Sequence, residues 1–232
     1  MYKVVVGVAL LSIVSAGLSP AATSAQQGLE IGIWGGHSRT NEFTSDLTLC
    51  VLYTCRPTTM NPHFWRNAPT GGLMIRQQKS ERLALRAEAV LAPKGFGPGD
   101  ERSDWRLASQ YLEIPLLAEI RMLRVGSLGL HLSGGLAPAV LVSCTVSGTT
   151  IDGFIQEPCA ELNPVTGKSY GPSVAYDLGW AVAPGIRLPM GTGNLLLELR
   201  HTRGLIDTRP DAAGHTTNRS TAIAAASTWR VR

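Results

Sequence analysis

Apolar residues recur at every second position through most of this chain, the period of strands rather than the 3.6 of helices. Segments with that period fall at about 29–37, 71–79, 83–92, 110–121, 128–142, 174–188, 195–203 and 219–230, which predicts eight strands. The clearest is "YDLGWAVAPGIRL". Tyr176, Leu178, Trp180, Val182, Pro184, Ile186 and Leu188 share one face, while Asp177, Gly179, Ala181, Ala183, Gly185 and Arg187 share the other. "LALRAEAVLA" sets Leu83, Leu85, Ala87, Ala89 and Leu91 against Ala84, Arg86, Glu88, Val90 and Ala92. A helix can also be drawn through that stretch, but its neighbours share the shorter period.

The connections alternate in length. Long loops at about 38–70, 93–109, 143–173 and 204–218 are separated by short turns near Ser80, at 123–127 and at "PMGTGN". In an up-and-down meander, all the long loops then lie at one end and all the short turns at the other. That asymmetry, an even strand count and strands of about 9–11 residues are the marks of a bacterial outer-membrane barrel. The predicted fold is therefore all-β, an eight-stranded antiparallel up-and-down transmembrane β-barrel.

Alternation alone does not say which face is outside. A soluble sandwich buries its apolar face, whereas a membrane barrel turns that face to lipid. Here the other face is rich in Gly and Ala with isolated charges, the composition of a cramped interior. Eight strands enclose a lumen that side chains can fill. On this reading Arg86, Glu88, Glu113, Glu119, Arg121, Arg187, Glu198 and Arg200 point inward and pair with one another, since an unpaired buried ion costs several kcal/mol. In "YLEIPLLAEIR", Leu112, Ile114, Leu116, Ala118 and Ile120 face lipid, and Tyr111 is expected near the headgroups. Leu117 is the misfit, an apolar residue on the inward face. Pro115 requires a place where pairing is relaxed.

Composition adds a compartment. Lys3, an apolar run from Val4 to Leu18 and the small-residue segment "SPAATSAQQ" have the layout of a signal peptide cleaved after Ala25, leaving 26–232 as the barrel domain. Four cysteines suit an oxidising compartment. They allow three pairings, of which the most local joins Cys50 to Cys55 and Cys144 to Cys159; zinc would require a CxxC spacing that neither pair has. The net charge is +4, but the basic residues are scattered, which argues against nucleic acid as a partner. His37, His63, His201 and His215 are equally scattered, so neither a metal nor another cofactor is expected.

The segment "YLEIPLLAEIR", preceded by "APKGFG" and followed by "LHLSGGLAPAVLV", resembles the PorT-like outer-membrane β-barrel domain family. "DLGWAVAPGIRL" and "LLLELRHTRGLIDT" resemble that family's sixth and seventh strands. The resemblance runs over roughly 29–230. It implies an eight-stranded barrel in the outer membrane of a double-membraned bacterium and no particular chemistry.

The expected role is structural or surface-interacting and without catalysis. Lipid surrounds the barrel, an extracellular partner is reached through the long loops, and the protein is a monomer. Three alternatives stand beside it. One is a narrow porin or transport protein. Another is a lipid-directed enzyme using His131 and Ser133, which share a face in "LHLSGG" and faintly resemble the His-x-Ser of outer-membrane lipid A deacylases. The third is a secreted soluble barrel that binds an apolar ligand.

Overall fold

The computed structural model describes residues 28–45, 48–51, 54–57, 65–97, 106–150, 153–159, 174–208 and 215–231. The expected signal segment lies outside them. The strands are β1 (Leu29–Ser45), β2 (Thr48–Val51), β3 (Thr54–Pro57), β4 (Arg66–Gln78), β5 (Leu83–Phe96), β6 (Arg106–Glu113), β7 (Leu116–Val125), β8 (Leu128–Thr150), β9 (Gly153–Pro158), β10 (Tyr176–Met190), β11 (Gly193–Gly204) and β12 (His215–Arg230).

Eight staves make the wall. β6 and β7 are one stave interrupted at Ile114 and Pro115, because both lie between β5 and β8. The interruption is where proline was expected to relax the ladder, and the wall stays joined there by Glu88 N–H donating to Pro115 O and Ile114 N–H to Pro138 O. β2 and β3 form a separate hairpin between β1 and β4, and β9 pairs with the end of β8.

The register closes the ring. Ile31 lies opposite Ile75, then Ala87, Leu116, Leu136, Trp180, Arg203 and Arg219 follow from stave to stave. Arg219 pairs back onto β1 at Asn41, ten residues beyond Ile31. Ten residues at about 3.4 Å, set against eight staves at about 4.8 Å, give a strand tilt of about 42°. That lies in the range for membrane barrels. Among the described residues, each of the eight staves has a neighbouring stave on both sides.

Two of the short turns are two-residue hairpins, and each holds one glycine in the left-handed region, Gly126 at φ 59° and Gly191 at φ 58°. The strands run further toward the loop end than the alternation predicted: β1 reaches Ser45, β5 Phe96 and β8 Thr150. There the pairing continues although the apolar outer face has ended, so hydrophobic pattern is a poor guide to where those strands stop.

The faces have the membrane sense. Ile33, Leu73, Ile75 and Ile223 are more than half exposed, whereas Arg86, Glu88 and Glu198 are buried. Leu117 is buried against Ala137 and Ala181, two small inward residues that leave it room, so its position reflects packing and not a slipped register. Tyr111 corrects an expectation. It is 1% exposed and lies inside the lumen, not among headgroups, because its stave extends five residues further to Arg106.

Candidate functional site

The lumen is the feature in which this chain places its chemistry. Alternation on β5 sends Arg86, Glu88 and Lys94 inward, and on β11 it sends Glu198 and Arg200 inward; all five are buried. At mid-height Arg86, Glu88, Glu198 and Arg200 form a closed square. Glu198 accepts from Arg86 Nη1 at 2.5 Å and Nη2 at 3.1 Å, and from Arg200 Nη2 at 3.3 Å. Glu88 accepts from Arg200 at 2.6 and 2.8 Å and lies 2.9 Å from Arg86 Nε. Trp34 packs beneath, with the Arg200 guanidinium 4.6 Å from its ring centre.

His131 joins the square from β8, its Nε2 2.9 Å from Glu198. Gly185, opposite both residues on β10, makes the contact possible: a Cβ there would lie 2.8 Å from His131 Nε2 and 2.9 Å from Glu198 Cγ. Ser133 is fully buried, but His131 does not reach it, and neither Ser133 Oγ nor His131 Nδ1 has a hydrogen-bond partner among the described residues. The nucleophile-to-base contact that an activated serine needs is not assembled.

Toward the short turns, Glu119 lies 2.7 Å from Arg187 and 3.0 Å from Arg76, and 3.6 Å from Arg86, which links this group to the square. Glu30 lies 3.2 Å from Arg187 and accepts from Asn194 and Thr228. Toward the loops, Lys94 lies 2.6 Å from Glu113 and 3.3 Å from Asp177, over the face of Tyr111 at 4.9 Å from the ring centre. Every carboxylate in these three groups faces a cation, as burial in a medium of low dielectric demands.

Seven of the eight residues predicted for the network are therefore in it. Arg121 is not. It is only partly buried, makes no ion pair among the described residues, and stands at the register shift between Arg121 and Leu123, where the turn end of the stave leaves the enclosed lumen. Glu30, Arg76, Lys94 and Asp177 belong to the network without having been predicted. The signal was present, since Leu29 and Ile31 flank Glu30, and Leu73 and Ile75 precede Arg76, with the same alternation.

At the loop end, Cys144 and Cys159 form a disulfide with Cα atoms 5.3 Å apart, tying β8 to the end of β9. The backbone of β2 and β3 sets Cys50 opposite Cys55; their sulfurs lie outside what is described. A cavity of about 580 Å³ opens between β4, β5, β6 and β8, lined by Trp65, Arg66, Phe96, Arg106 and Gln156. Arg66 closes its floor by donating to Lys94 O at 2.8 Å and Ser109 O at 3.2 Å.

No curated protein matches this chain in sequence. Among solved structures it is similar to Neisserial surface protein A, at 9% identity and a TM-score of 0.47, over 88% of this chain and 97% of that one. It is similar to the outer membrane protein OprG of Pseudomonas aeruginosa at 11% identity and a TM-score of 0.47, over 88% and 98%. It is likewise similar to Ail of Yersinia pestis, solved with a heparin analogue, at 9% identity and a TM-score of 0.42, over 88% and 100%. The family described as outer membrane protein beta-barrel domain matches residues 24–209. With closed staves, apolar outer faces and a match over most of its length, the chain belongs to the outer membrane protein beta-barrel domain family and resides in the bacterial outer membrane.

Proposed function

We propose that this protein is a non-conducting surface barrel, a monomeric outer-membrane scaffold that holds long loops outside the cell and meets an extracellular partner through them, without catalysis. Within its family it stands with the PorT-like barrels, on the strength of "YLEIPLL" and "GGLAPAVL".

The observation that carries this reading is the dryness of the lumen. The side chains of Arg86 and Glu88 are 0% accessible although they lie on the barrel axis side of the wall. A water path through the lumen would wet them. Trp34, Met74 and Leu196 fill the space that the ion pairs leave. A plugged barrel delivers its function at an end, and the loop end carries the disulfide and the cavity lined by Trp65, Arg66 and Phe96. The closed ring supports the monomer, since each of its eight staves already has a neighbouring stave on both sides.

Conductance across planar bilayers tests the proposal. Purified protein whose folded state is verified by heat-modifiable mobility is expected to give no discrete steps. Steady steps would replace the plug with the narrow porin.

A further inference from the structure

The outer wall is not uniform around its circumference. On β1, β11 and β12 the outward positions change from apolar to basic as the strands approach the loop end. Leu197 and Leu199, then His201 and Arg203, follow along β11; Ile223, Thr221 and Arg219 follow along β12; Ile33, His37 and Arg39 follow along β1. Arg203 lies directly opposite Arg219, and Arg39 is opposite Thr221, one row away. The three arginines therefore converge across three adjacent staves. At the same end of β6, β8 and β10 the outward positions are Leu112, Val140, Tyr176 and Leu178.

Their height is set by the register. Arg219 and Trp229 are ten residues apart on β12, about 34 Å along the strand. At a 42° tilt that is about 25 Å along the membrane normal, the height of the apolar band of such barrels. Trp229 marks the lower interface, so the arginines stand at the outer-leaflet headgroups. Three contacts organise the cluster: Arg39 stacks on Trp65 at 4.7 Å, His201 Nδ1 lies 3.0 Å from Thr221 Oγ1, and the His201 ring meets Trp180 at 5.6 Å.

Directly below, the wall is grooved. Gly35 and Ala225 are opposite one another on β1 and β12, and Pro184 stands in β10 where its ladder with β11 skips a step, having no N–H to give. Between the bulkier Leu197, Leu199 and Ile223 these small residues leave a groove of about 850 Å³ that is open on the lipid-facing surface and has His131 and Glu198 in its lining.

We propose that this face is a binding site for one lipid of the outer leaflet, an anionic lipid whose phosphate headgroup carries net negative charge and is held by Arg39, Arg203 and Arg219, and whose acyl chain lies in the groove beneath. Charge selects the headgroup, and arginine's fork of donors matches phosphate geometry. Continuity of the groove with the lipid-facing belt selects an acyl chain as its occupant. The site rests on the outer-membrane placement and not on whether the lumen conducts.

The test uses the full mature chain in nanodiscs of phosphatidylcholine mixed with lipid A, released for native mass spectrometry to read which lipid is retained. Wild-type protein is expected to retain lipid A over phosphatidylcholine. The double variant Arg203→Gln/Arg219→Gln is expected to lower that preference about tenfold or more, at about one kcal/mol for each cation near a charged lipid surface. A second variant, Gly35→Leu, fills the groove. A Cβ at Gly35 meets nothing within 4 Å, so the side chain is accommodated, and retention of lipid A is expected to fall although every arginine is present. Equal retention of the two lipids by wild type would overturn the site, as would double-variant retention equal to wild type. Unchanged retention in Gly35→Leu, or displacement of lipid A by inorganic phosphate alone, would overturn the role of the groove.

Discussion

Leu196 and Leu197 are neighbours on β11 with the same side chain and opposite surroundings. Leu196 is wholly buried in the lumen beside Trp34, and Leu197 is 40% exposed on the outer wall. The same contrast runs through every stave: the inner face holds matched ions and a few packed apolar groups, and the outer face holds isolated Leu, Ile and Val. A residue's burial here says nothing of its hydrophobicity, because the solvent outside is lipid and the interior is where polarity has to be satisfied.

The contrast can be broken from inside or from outside, and the inside break is the larger. Glu198→Ala leaves Arg86, Arg200 and His131 short of their shared acceptor, and urea titration of the folded barrel in lipid vesicles should show a loss of about 3–5 kcal/mol. Leu73→Arg attacks the outer face near the middle of β4, and the same titration should show a loss of about 2–4 kcal/mol. Leu117→Ala removes an apolar inward side chain packed on Ala137 and Ala181, with an expected loss of about 2–3 kcal/mol from the cavity it leaves. Arg121→Ala sharpens the boundary of the network. Since Arg121 stands outside it, stability should stay within about 0.5 kcal/mol of wild type.

Much of this architecture was legible in the chain. Period-2 alternation and the alternation of loop lengths identified all eight staves, because both follow from one physical constraint, a wall with two solvents. The inward position of seven network residues followed from the same parity. What parity could not supply was partnership. Arg86 meets Glu198 from the far side of the barrel because of the ten-residue stagger of the register, a global quantity that no local segment contains. The apolar pattern stops near Tyr111 and so puts it at headgroup level, whereas the backbone pairing carries the stave on to Arg106. Arg121 kept the parity of the lumen but had passed the end of the enclosure.

The inversion of faces is most directly tested on β12, where small side chains occupy both sides of one stave. Ala222, Ala224 and Ala226 point inward and are buried, while Ile223 and Ala225 point outward. Cross-relaxation measured by NMR on the folded protein in lipid nanodiscs needs no substitution. The Ile223 and Ala225 methyl groups should exchange magnetisation with acyl-chain methylenes, and those of Ala222, Ala224 and Ala226 with neither acyl chains nor water. Acyl-chain contact at residues 222, 224 and 226 would reverse the faces, and water contact there would open the lumen; either result contradicts a barrel that is apolar outside and dry within.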